Sequence, residues 1–211
     1  MKIVFFGDSI TDANHLRDRE CGLHLAYGGG YVSQVAAILT DEDPRGYEIF
    51  NRGISANRTT ELLVRINKDV WVEQPDVISI LIGVNDVLFE IMQRDGVDID
   101  WFEQNYRLII EGTRKRLPET KIMLCEPFIM KGSATIERWD EWLEVKTYAK
   151  VVERLAKEYG LVFVPLQKTL DEASRRYGGD EYCAMDGVHP TVAAAKQIAE
   201  QWVKVFKEKI K

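Results

Sequence analysis

The chain is poor in the residues that staple, ligate or span. Its 211 residues include three cysteines, three histidines and six prolines. Cys21, Cys125 and Cys183 are far apart and form no C-x-x-C pair, so neither a zinc knuckle nor a dithiol motif is present. An odd count fits a reducing compartment, and all three read as reduced structural thiols. No H-E-x-x-H spacing supports a metal site. The first apolar run is not followed by G-x-G-x-x-G, and G-x-x-x-x-G-K-[ST] occurs nowhere. Gly28-Gly29-Gly30 precedes a helical pattern and could cradle a phosphate, but a lone glycine run is a weak signal. No stretch is long and apolar enough to span a membrane. The opening apolar run stops after Phe6, which is short for a signal peptide, so it reads as a buried strand and the chain as cytoplasmic. A net charge of −6 argues against nucleic acid as a partner and gives no attraction to anionic membranes.

What is present is an ordinary globular balance, 45% apolar and 29% charged, enough for one core and one domain over 1–211. Short apolar runs at Lys2–Phe6, Glu48–Asn51, Val77–Ile82, Ile122–Cys125 and Val162–Val164 read as buried strands. Between them lie helical patterns. Tyr31–Leu39 is one. Thr60–Val72 is another, capped by Thr59 or Thr60. Phe102–Leu117 stops before Pro118, and Arg138–Tyr159 stops at Gly160. The last helix starts near Thr191, with Ala195, Ile198, Ala199, Trp202, Val205 and Phe206 on one face. Lys204, Lys207, Lys209 and Lys211 suit its C-terminal dipole. The segment Arg176–Asp186 has no periodicity and reads as a loop. Strands alternating with helices imply a parallel sheet covered on both faces, an α/β fold. Chemistry in such folds gathers beyond the carboxyl ends of the strands.

The segments at those ends carry reactive residues. Gly7-Asp8-Ser9-Ile10-Thr11 follows the first strand and exposes a serine hydroxyl on a turn, though a serine there is often only a cap. Asn51-Arg52-Gly53-Ile54-Ser55-Ala56-Asn57 follows the second, where Gly53 offers either a close backbone N–H or a simple turn. Gly83-Val84-Asn85-Asp86 follows the third. Asn85 can present a side-chain N–H to an oxyanion and Asp86 can buttress the loop, unless both only build an Asx-type turn. Asp186-Gly187-Val188-His189-Pro190 puts a carboxylate and an imidazole three residues apart, near enough for Asp186 to accept Nδ1–H and leave Nε2 for a serine proton. A helix-entry turn is the plainer reading of that segment. His15 and His24 have no such partner and read as loop residues near the cleft. Each signal is weak alone. Together they supply a nucleophile (Ser9), a base (His189), its orienter (Asp186) and oxyanion donors (Ser9, Gly53, Asn85), the parts needed for acyl transfer.

These four blocks, GDSIT, NRGISAN, GVND and DGVHP, resemble those of the SGNH (GDSL-type) hydrolase superfamily, in order and across nearly the whole chain. The resemblance implies a three-layer α/β/α sandwich around a five-stranded parallel sheet, flavodoxin-like, with Ser9, Gly53, Asn85 and His189 as signature residues and Asp186 completing the triad. Ile10 stands where the family name has leucine. Within the superfamily the chain is most similar to intracellular acetylesterases of xylo-oligosaccharides. Small-acyl lipases, lysophospholipases and thioesterases are the alternative. The resemblance also implies a homo-oligomer, and with so few histidines no metal or other cofactor is expected.

The expected substrate is therefore a small ester, an acetylated sugar first. Asp12, Asn57 and Arg58 are candidates for its hydroxyls, and Trp139 for a sugar face or a subunit contact. Trp142 fits the core stripe of its helix, while Trp101 and Tyr182 lie near element ends. Rival readings are a nucleotide-binding protein, a metal-dependent hydrolase using Asp8, Asp12, Asp86, Asp186 and His189, and a non-catalytic carbohydrate-binding module. The last has no need of Ser9, Asn85 and an Asp186–His189 pair at once.

Overall fold

The structure, a computed structural model, describes residues 1–17 and 24–211, with only the backbone at His24. Five strands form one parallel sheet: β1 (Lys2–Gly7), β2 (Glu48–Gly53), β3 (Val77–Leu81), β4 (Lys121–Cys125) and β5 (Val162–Val164), in the order β2-β1-β3-β4-β5. Val77–Leu81 is buried at every position, as a strand covered on both faces must be. The helices follow the chain as α1 (Ser9–Asp12), α2 (Tyr31–Glu42), α3 (Thr59–Asp69), α4 (Val84–Gln93), α5 (Ile99–Arg116), α6 (Trp139–Trp142), α7 (Glu144–Glu158), α8 (Gln167–Tyr177) and α9 (Val192–Lys209). Helices α2, α8 and α9 cover one face, and α3, α5 and α7 the other. The architecture is the expected α/β/α sandwich.

The core under α9 shows why the stripe predicts the element. All six apolar positions of the stripe are buried. Trp202 stacks on Phe206 with centroids 5.0 Å apart, meets Phe5 of β1 at 4.9 Å, and donates its indole N–H to Ser79 Oγ at 2.8 Å. Removing so large a side chain from a core typically costs roughly 3–5 kcal/mol. Trp142 is likewise core, at 2% exposure. Cys125 and Cys183 are buried free thiols, and burial pushes the Cys125 thiol up to about 12. Cys21 lies outside the described residues.

Some boundaries differ from the sequence reading. Arg138–Tyr159 is not one helix. It breaks at Leu143, where the Lys146 N–H bonds the Leu143 carbonyl in a tighter turn. Neither Thr59 nor Thr60 caps α3. Arg58 does, with Glu61 accepting its N–H at 2.7 Å, while Thr59 is drawn inward to Asp86. Helix α4 begins within the GVND block, and α8 occupies the start of the expected loop. The polar sequence of α8 buries only Leu170, Ala173 and Ser174, too narrow a stripe to betray it.

Strand order places the site. From β1 the chain moves to β2 on one side, and from β3 it moves to β4 on the other. The crevice between β1 and β3 is thus the topological switch point, where α/β folds bind ligands. Ser9 leaves β1 and Asn85 leaves β3 at that crevice.

Candidate active site

Ser9 is the first residue of α1, so its N–H has no partner within the helix. Asp8 caps this turn, its Oδ1 accepting the Ile10 N–H at 2.9 Å. Gly7 leaves room for it: a Cβ there would sit 2.4 Å from the Leu81 carbonyl and from Thr11 Oγ1.

The Asp186–His189 segment is bracketed by the loop after β4. Met130 N–H bonds the Gly187 carbonyl, Ser133 N–H that of Met185, and Ala134 N–H that of Asp186, at 2.9–3.1 Å. Gly187 adopts φ 92, and a Cβ on it would collide with Thr135 Oγ1. So held, Asp186 Oδ1 accepts the N–H groups of Val188 and His189, both at 2.8 Å. Its Oδ2 accepts His189 Nδ1–H at 2.6 Å, and His189 Nε2 lies 2.8 Å from Ser9 Oγ. Burial opposes ionisation of Asp186. The imidazole and the two N–H groups outweigh it and hold the carboxyl at about 2. The bond to Asp186 in turn raises the His189 pKa above its usual 6.5. Nδ1 therefore carries the hydrogen, and neutral Nε2 is aimed at the serine proton. This is the geometry of a serine–histidine–aspartate hydrolase site.

Asn85 is buried in the first turn of α4. One N–H of its amide bonds the Asn57 carbonyl at 3.0 Å, leaving the second. Asp86 buttresses the loop, taking the Thr59 hydroxyl at 2.6 Å and its N–H at 3.1 Å. Gly53 is a correction. Its N–H is spent on Asn51 Oδ1 at 2.9 Å, so it has none for an oxyanion. Glycine is needed there because a Cβ would lie 2.1 Å from the Asp12 nitrogen. Three residues on, Ala56 has φ 66, and its N–H has no acceptor among the described residues. Nothing in the side chain marks it, because the donor is backbone.

The substrate-binding candidates need correcting too. Asp12 is buried and fully used: Oδ2 accepts the Ser55 N–H at 3.0 Å and hydroxyl at 2.8 Å, and Oδ1 bonds His15 Nδ1 at 2.8 Å. His15 does lie in a loop, but it is buried with a partner, contrary to the expectation that it has none. Its three-residue spacing from Asp12 repeats that of Asp186 and His189, a signal the sequence did contain. Asn57 Oδ1 accepts the Arg65 Nε–H at 2.6 Å, and Arg58 binds Glu61 and Asp95 while lying over Phe89. Trp139 packs half-buried on the core with Lys131 over its ring. None of the four lines the cleft at Ser9. That cleft, about 360 Å³, is walled instead by Ile10, Ala13, Asn14, Gly29, Gly30 and Ser55 beside Ser9 and His189. The glycine run thus shapes this cleft: a Cβ on Gly30 would meet that of Ala13 at 2.7 Å. No group of three His, Cys, Asp or Glu close enough to hold a metal occurs among the described residues.

Asp8 is 1% exposed and its Oδ2 has no partner. Burial, with Asp86 nearby, pushes its carboxyl up to about 7. An acid raised on folding favours its neutral form, so the stability it contributes is complete near pH 4 and is lost as pH climbs through about 7. Denaturant midpoints should fall over that window, and Asp8→Asn, which keeps the accepting oxygen but cannot ionise, should flatten the slope. An identical slope in the variant would show that Asp8 is ionised throughout.

The chain belongs to the GDSL-like lipase/acylhydrolase family, whose model matches residues 5–197. It is a GDSL-type carboxylic ester hydrolase. It is similar to an acetylxylan esterase of Geobacillus stearothermophilus, 32% identical over 217 residues covering 96% of each. A crystal structure of that enzyme, 31% identical, superposes with a TM-score of 0.84 over 97% of this chain and 93% of the other. A GDSL-like lipase structure from Parabacteroides merdae gives 0.92 at 34% identity, over 99% and 96%.

Proposed function

We propose that this enzyme removes small acyl groups, acetyl above all, from carbohydrate esters through a Ser9–His189–Asp186 mechanism. The observation that carries it is the pair of bonds in line, 2.8 Å from Ser9 Oγ to His189 Nε2 and 2.6 Å from Nδ1 to Asp186. Ser9 Oγ attacks the acyl carbon as Nε2 takes its proton, and Asp186 stabilises the imidazolium. The tetrahedral intermediate collapses to an acyl-enzyme as Nε2 returns the proton to the departing alcohol. Water then attacks the same way, releasing the acid and restoring Ser9.

The oxyanion is held by the Ser9 N–H, the free Asn85 N–H and the Ala56 N–H. Ala56 lies between Ser55, which lines the cleft, and Asn57, whose carbonyl anchors the Asn85 amide. Asn85→Ala should lower kcat roughly 10²–10³-fold with little change in KM, since the charge develops only in the transition state. A loss confined to KM would remove Asn85 from this role.

The acetyl and sugar parts of the reading rest on likeness to the acetylxylan esterase and on the size of the cleft. Serine-to-alanine and aspartate-to-alanine catalytic mutants of that enzyme have been crystallised, in keeping with the roles proposed for Ser9 and Asp186. Asn14 and Ser55 at the cleft replace Asp12, Asn57 and Arg58 as partners for sugar hydroxyls. A homo-oligomer belongs to the same reading, since Ile136 and Met185 leave apolar surface exposed in one shallow pocket. Peracetylated xylose and acetylated xylo-oligosaccharides should turn over far better than butyryl or octanoyl esters. Highest kcat/KM on octanoyl esters or acyl-CoA would make the enzyme a lipase or thioesterase.

A further inference from the structure

We infer that a second site, behind the Gly53–Ser55 strand end from Ser9, binds a small oxyanion, a carboxylate or phosphate group. Ser55 faces the cleft of Ser9, while Gly53 and Ile54 face a separate pocket of about 460 Å³. Four cationic side chains line it, Arg17, Arg52, Arg65 and Lys68, with one carboxylate, Asp69, and the His15 ring.

Two of the cations are structural. Arg52 pairs with Glu73 at 2.9 Å. Arg65 pairs with Asp69 at 2.8 Å, ties the Gly7 and Arg52 carbonyls together and lies over Phe6. The other two are less committed among the described residues. Arg17 is 61% exposed and reaches Asp12 only at 3.8 Å, a carboxylate already shared by Ser55 and His15. Lys68 has no ion pair or hydrogen bond among the described residues. Among the described residues these cations outnumber the acids that pair with them, Asp12, Asp69 and Glu73, in a chain whose net charge is −6. Burial above all pulls the Arg65 pKa below its usual value, against the opposing pull of Asp69, and the charge of Arg17 adds a smaller push in the same direction. A guanidinium fork beside a flexible ammonium is the usual equipment for carboxylate and phosphate.

The site does not depend on the acyl chemistry, so it can fail while the esterase reading stands, and the reverse. The test is calorimetry on the whole chain with sodium phosphate and with sodium glucuronate, at ionic strength fixed by chloride. Saturable one-to-one binding of either anion is expected, weakened roughly tenfold or more in the Arg17→Gln/Lys68→Gln double variant. Glucuronate that also inhibits p-nitrophenyl acetate hydrolysis in the wild type, but not in the variant, would place the anion on an acidic sugar of the substrate. Phosphate binding without inhibition would mark a free ion. No response beyond chloride, or equal affinity in the double variant, would overturn the site.

Discussion

Ser9→Ala should lose about 10⁶ in kcat, close to the loss seen when a serine hydrolase loses its nucleophile, with the fold intact. The hydroxyl is half-buried at the head of a four-residue helix, and the cap of that helix comes from Asp8 rather than from Ser9. Alanine is a good helix former and removes no structural bond. Stability should therefore change little while turnover on p-nitrophenyl acetate falls to the level left by oxyanion donors and binding alone. A serine-directed phosphonate should label the wild type at Ser9 and leave the variant unlabelled. Wild-type turnover by Ser9→Ala would end the mechanism proposed above.

Asp186→Asn should be the next most damaging change, costing up to about 10⁴ in kcat by analogy with serine proteases. The amide can present its N–H to His189 and favour the wrong tautomer, leaving a hydrogen on Nε2 where the serine proton must go. His189 and Asp186 are partly exposed, so water can orient some of the rings, and a smaller loss of about 10² would still fit. The pH profile separates this from unfolding. In the wild type, kcat/KM should rise with pH through a value above 6.5, because only neutral His189 accepts a proton and Asp186 holds the pKa up. Without the carboxylate the inflection should move to lower pH even as the plateau drops. An unmoved inflection would mean that the titrating group is not His189.

The sheet and the helices that face it were legible because their determinants are local. Buried strands on both faces read as short runs of Val, Ile and Phe, and the α9 stripe repeats at helical spacing. Helix α8 was not legible, since three small contacts suffice to dock it. Ser9, Asn85, Asp186 and His189 stood out because a reactive side chain must be a particular residue at a strand end or helix entry.

The remaining site residues were decided by tertiary structure. Gly53 at the end of β2 and Ala56 in the turn after it both offer backbone N–H groups, and which is free depends on Asn51 turning its side chain onto Gly53. Asp12 looks like a cleft acid in sequence, yet Ser55, forty-three residues away, claims one of its oxygens. Asn57 and Arg58 are polar enough to meet a sugar, but Arg65 and Glu61 reach them first. The sequence by itself determined which side chains can do acyl chemistry and on which elements they sit. Only the folded chain decided which polar groups remain unspent, because a buried donor or acceptor is taken by whatever partner packing brings within about 3 Å.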